Sequence, residues 1–162
     1  MRIKNLFIHI LYAKGEIVVI NKDSAELLKQ CNAGIKMGVD SIDDVLGNIK
    51  SEDLKNILSK NKEKHQDLGS RTHEILENMG EEGKEPNPVA KGMSWIKTNV
   101  MLSINDTDNM VADLITDGCN MGVKSLNRYL NQYKAAGDEA KKITKQLIDL
   151  EHQLTIDIRP YL

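Results

Sequence analysis

Apolar residues recur at steps of three and four from about Asp23 to the end of this 162-residue chain, and no other feature restricts its folding more. That spacing lines one face of an α-helix and does not fit the strict alternation of a half-buried strand. The first stripe runs Leu28, Cys31, Ile35, Val39, Ile42, Leu46 and Ile49, with Lys29, Lys36, Asp40, Asp43 and Asp44 off it. Asp23 stands three residues before Glu26, the capping-box spacing, and is expected to open this helix. A second helix is expected from Ser51, where Glu52 and Asp53 meet the positive end of the helix dipole. Its stripe reads Leu54, Leu58, Asn61, His65, Leu68, Thr72, Ile75 and Met79, so polar residues lie within the seam. Gly80 offers a C-terminal cap, and a polar loop runs from Glu81 to Pro88.

Asn87-Pro88 is a cap followed by proline at the first helical position, and opens a short third helix with Val89, Met93, Ile96, Val100 and Ile104. A fourth is recapped at Asn105 to Asp108 and carries Val111, Ile115, Gly118, Gly122, Leu126, Tyr129 and Tyr133. The fifth follows the turn Ala135 to Asp138, carries Ile143, Leu147, Leu150, Leu154 and Ile158, and stops at Pro160. Aromatic residues are only 4 %, which suits a bundle filled by aliphatic side chains and methionine and argues against a β-sandwich. The chain holds enough apolar material for one core, so residues 21–162 are expected to form a single helical domain. With 24 acidic and 22 basic side chains the net charge is -2, which supplies no general field for nucleic acid or an anionic membrane. Two separated cysteines make neither a disulfide framework nor a cysteine zinc site.

Residues 1–20 differ from the rest. Arg2 and Lys4 before Leu6-Phe7-Ile8 look like the start of a secretory signal, but the apolar run is broken by His9 and Tyr12 and is too short to span a bilayer. A second reading is a short β-hairpin or docked arm with Lys14-Gly15-Glu16 at its turn. In a third, those three residues can be encoded by a ribosome-binding sequence, AAA GGA GAA. The protein would then begin near Val18, and the preceding residues would be leader read in frame.

The first and fourth helices share a pattern. Gly34, Met37, Gly38, Val39, Ser41, Ile42 and Leu46 match Gly118, Met121, Gly122, Val123, Ser125, Leu126 and Leu130 at a constant separation of 84 residues. Interior glycine costs a helix about 1 kcal/mol against alanine. Gly34, Gly38, Gly118 and Gly122 are therefore read as helix-packing positions that let backbones approach closely. The repeat implies two helical hairpins with the short helix in the crossover between them.

Hairpin, crossover with a short helix, hairpin is the order in which this chain resembles the ferritin-like four-helix bundles, in particular small rubrerythrin-related bacterial families of unknown function that include relatives of spore-coat proteins. The resemblance covers about residues 23–162. It implies an all-α, ferritin-like bundle in the bacterial cytoplasm, with spore association as a variant. Metal-binding members of the superfamily hold two irons with a Glu from each of two helices and Glu-x-x-His from each of the other two. Here the second helix has Lys62-Glu63-Lys64-His65, the fifth has Asp149-Leu150-Glu151-His152, the first has no carboxylate on its stripe, and the fourth offers only Asp117. A di-iron centre needs several inward oxygen ligands to balance its charge, so the expected centre is degenerate and no cofactor is expected.

Two function classes follow. The first is a non-enzymatic structural or partner-binding protein that forms a homodimer through the helix of Trp95 or an outer bundle face. The second is a metal-dependent oxidoreductase or a store of iron or another divalent metal, using His65, Asp117, Asp149 and His152. His65 is otherwise a buried neutral histidine bonded to Asn61, Thr72 or a backbone carbonyl. Cys31 and Cys119 read as small buried apolar residues rather than nucleophiles. Lys60, Lys62 and Lys64 read as a solvated face.

Overall fold

The computed structural model describes residues 9–13, 16–85 and 107–162, with side chains from Asn21 onward. Strands β1 (His9–Ala13) and β2 (Glu16–Ile20) pair antiparallel, His9 opposite Ile20 and Ala13 opposite Glu16, which is the pairing a short hairpin requires. Four long helices follow: α1 (Lys22–Leu46), α2 (Glu52–Asn78), α3 (Thr107–Gln132) and α4 (Asp138–Asp157), with a 3-10 turn over Arg159–Tyr161. The helix expected after Asn87-Pro88, with Trp95, lies outside the described residues.

The caps explain most of these limits. Helix α1 begins slightly earlier than its capping-box spacing implies, because the Asn21 side chain accepts from the Ser24 amide at 2.8 Å and so occupies the cap position. Ser51 caps α2 as expected, accepting from the Leu54 amide at 3.3 Å. At the other end of α2, Gly80 takes φ 68°, and the amides of Gly80 and Glu81 bond the carbonyls of Glu77 and Leu76. That double bond pattern is a Schellman motif, and only a residue without a Cβ adopts the left-handed conformation there cheaply.

α1 packs on α2 and α3 on α4; α1 also touches α3 and α4, and α2 touches α4. The two hairpins are tied end to end by reciprocal caps. Near the start of α1, the Asn21 amide donates to the Ala135 carbonyl, Asp23 accepts from the Ala135 amide at 3.0 Å, and Ser24 Oγ accepts from the Gly137 amide at 2.8 Å. At the start of α3, the two oxygens of Asp108 accept from the amides of Lys50 and Ser51 at 2.8 and 2.9 Å. Each hairpin thus bonds the turn of the other, which makes α1 and α3 antiparallel. Ser24 and Asp108 are 84 residues apart, as are Ser51 and Ala135, so the ties follow the sequence repeat. Replacing Asp108 by Ala is expected to cost about 1–2 kcal/mol, the range for losing a charged cap. Urea denaturation of Asp108→Ala measures it, and an unchanged midpoint would show that water replaces the carboxylate.

The interior has two apolar clusters. One gathers Ile42, Val45, Leu54, Leu58, Val111, Ile115, Leu154 and Ile158; the other gathers Leu27, Leu28, Cys31, Ile35, Leu76, Leu126, Ile143 and Leu147. On every helix the change from one cluster to the other falls at about the same level along the bundle.

Candidate functional site: a polar layer across the bundle

Between the clusters lie Gly38 on α1, Asn61 and His65 on α2, Gly122 on α3 and Glu151 on α4. The three polar side chains are almost fully enclosed, with His65 at 2 % exposure and Asn61 and Glu151 at 7 % each. Among the described residues, Asn61 Oδ1, His65 Nε2 and Glu151 Oε2 have no hydrogen-bond partner. Buried polar atoms are nearly always bonded, so three orphans in one layer set this part of the core apart.

Local sequence fixes how each side chain arrives there. On α4, Leu147, Glu151, Leu154 and Ile158 are buried at steps of four, three and four, so the helix itself carries the glutamate inward. The glycines then make the room. A Cβ built on Gly122 would lie 2.0 Å from Glu151 Oε2, and one on Gly38 would lie 3.0 Å from His65 Nε2. The equivalent glycines of the two repeats therefore admit one polar side chain each. The expectation of close backbone approach is corrected here. Gly118 is exposed and a Cβ on it meets nothing, because Cys119 rather than Gly118 is the residue that faces the core. Gly34 has only an ordinary 3.8 Å contact with Leu147.

The protonation states follow from these surroundings. His65 Nδ1 lies 3.1 Å from the backbone oxygen of Asn61. A carbonyl only accepts, so Nδ1 carries the proton and Nε2 presents a bare lone pair. Burial lowers the His65 pKa, against the opposing effect of that carbonyl, and the ring stays neutral. Burial pushes the Glu151 carboxyl up to about 8, so at neutral pH it is mostly the uncharged acid. Burial likewise raises the Cys119 thiol to about 12 and the Cys31 thiol to about 11, the latter partly offset by a 3.2 Å hydrogen bond with Thr144. Both thiols stay protonated at neutral pH and are poor nucleophiles, in line with the reading of them as buried apolar residues.

Of the residues proposed for a metal, only His65 is inside. Asp117, Asp149 and His152 are exposed, since each sits beside rather than on the buried stripe of its helix. Among the described residues no three or more His, Cys, Asp or Glu side chains group as metal ligands would. Apolar spacing favours Leu150 over its neighbour Glu151 on α4, yet Leu150 is only half-buried and Glu151 takes the inward position. The signal was present: Glu151 stands four residues after Leu147 and three before Leu154.

Among the described residues no helix is long and apolar enough to cross a membrane. No protein-family model matches the chain, and no curated protein matches it. Its structure is similar to that of a DUF305 fragment from Deinococcus radiodurans, with a TM-score of 0.69 over 86 % of this chain and 95 % of that one. The two share 10 % sequence identity, so the likeness is one of fold alone.

Proposed function

We propose that this chain is a ferritin-like bundle that serves as a non-enzymatic structural or partner-binding protein, with a degenerate metal centre in its core. The observation that carries the reading is the make-up of the polar layer. Where a di-iron bundle brings carboxylates and histidines from four helices, α1 and α3 contribute Gly38 and Gly122, and the remaining His65 and Glu151 occupy the space those glycines leave. One imidazole and a single carboxyl group, even when ionised, cannot balance the charge of two metal ions. A crossover between the hairpins is supported by the reciprocal ties, since α2 ends beside the start of α1 whereas α3 starts beside the α1–α2 turn.

One observation favours the alternative of a metal-binding oxidoreductase or store. His65 is anchored through Nδ1 with Nε2 bare, which is how a ligating histidine is held. Elemental analysis separates the two. Protein purified without chelator and reconstituted with ferrous iron, manganese or zinc is expected to hold well under one metal per chain. Stoichiometric metal that is lost in His65→Ala would overturn the structural reading.

A further inference from the structure

The outer face between α2 and α4 carries a furrow of about 410 Å³ whose walls bear opposite charges. Lys60 and Lys64 line it from α2; Asp149, Gln153 and Asp157 line it from α4; Asn61 and Leu150 form its floor. At one end of this face the helices do close on each other, because Arg71 pairs with Glu139 and donates to Gln146 at 3.2 Å. Along the furrow they do not. Among the described residues, Lys60, Lys64, Asp149 and Asp157 make no ion pair. The Asn61 amide reaches the Leu150 carbonyl at 3.4 Å and sets the register of the antiparallel pair. Asp149 therefore lies at the level between Lys60 and Lys64, across a gap that the described residues leave open.

We infer that this furrow is the contact face of a homodimer, its occupant the same face of a second copy related by a two-fold axis parallel to the helices. Such an axis keeps levels along the bundle and exchanges the two walls. It brings the partner's Asp149 over Lys60 and Lys64, and the partner's lysines over Asp149. A two-fold axis running across the helices would instead set lysine against lysine, so the charge layout selects one symmetry. The area is adequate as well: a 20-residue helix is about 30 Å long, and two helices side by side offer on the order of 600–800 Å² per partner, close to a standard interface. This inference rests on the partner-binding reading above and makes it specific.

The test is sedimentation of the full chain and two charge-reversed variants, Lys60→Glu with Lys64→Glu, and Asp149→Lys with Asp157→Lys. All four positions are exposed, and circular dichroism checks that the helices remain. The wild type is expected to dimerise, and each variant alone to do so at least about tenfold more weakly, since like charges then oppose across the contact. An equimolar mixture of the two variants is expected to recover the wild-type affinity as a heterodimer. A dimer that ignores both reversals would place the interface elsewhere, ending this inference while the partner-binding reading stands. A wild type that stays monomeric at high micromolar concentration would overturn both the inference and the homodimer.

Discussion

Glu151→Gln is expected to gain stability over the wild type by about 3 kcal/mol more at pH 8 than at pH 5. In the unfolded chain a glutamate releases its proton at about pH 4.3, whereas the folded chain holds it until about 8. Folding therefore takes up a proton across that window. The wild type has the full contribution of this group below the unfolded value and loses it as pH rises towards the folded one, at up to about 1.4 kcal/mol per unit. Glutamine has the same shape and no such titration. Whatever its own amide costs in the layer is the same at both pH values and cancels from the comparison. Urea denaturation of both proteins at pH 5, 6, 7 and 8 gives the difference directly. A difference that does not change with pH would mean that Glu151 is hydrated or ionised in the folded protein, and the account of the polar layer would fall.

Gly118 and Gly122, one turn apart on α3 and alike in sequence, are expected to respond to alanine with opposite signs. Gly118→Ala adds a methyl into open space on an exposed helix position and is expected to stabilise by about 0.5–1 kcal/mol through helix propensity. Gly122→Ala places a Cβ 2.0 Å from Glu151 Oε2 and 2.7 Å from its Cδ. The carboxyl must move, and the apolar clusters on either side give it no polar partner, so a loss of about 2 kcal/mol is expected. Glu151→Ala removes the obstructing side chain, and in that background Gly122→Ala is expected to cost nothing further. Denaturation midpoints of the four proteins decide it. A Gly122→Ala protein as stable as the wild type would show that Glu151 has another place to go.

These glycines also show what the sequence made legible and what it hid. The helices are readable because apolar residues recur at helical spacing along one face of each, and their ends because Ser51 and Gly80 have chemistry that suits a terminus. The hairpin arrangement was visible in the repeat. The interior layer was obscured by one habit of pattern reading: when an apolar and a polar residue are adjacent, the apolar one is assigned to the core. On α4 that preferred Leu150 to Glu151, and on α3 the glycine pattern drew the stripe through Gly118 rather than Cys119. Both helices keep their register regardless, because Leu147, Leu154 and Ile158 on one, and Val111, Ile115 and Leu126 on the other, fix the buried face. The glutamate is then carried inward by residues that gain from burial, although it does not.

The reciprocal ties between hairpin starts and hairpin turns bear on how the molecule comes apart. In stacked repeat proteins each unit touches only its neighbours, and a terminal unit can melt while the rest persists. Here the carboxylate that holds the first hairpin's turn belongs to the second, and the groups that hold the second hairpin's turn belong to the first. Loosening either hairpin strips the amides at the bend of the other. A chain with a duplicated sequence pattern is thereby made to unfold as one cooperative unit rather than as two halves.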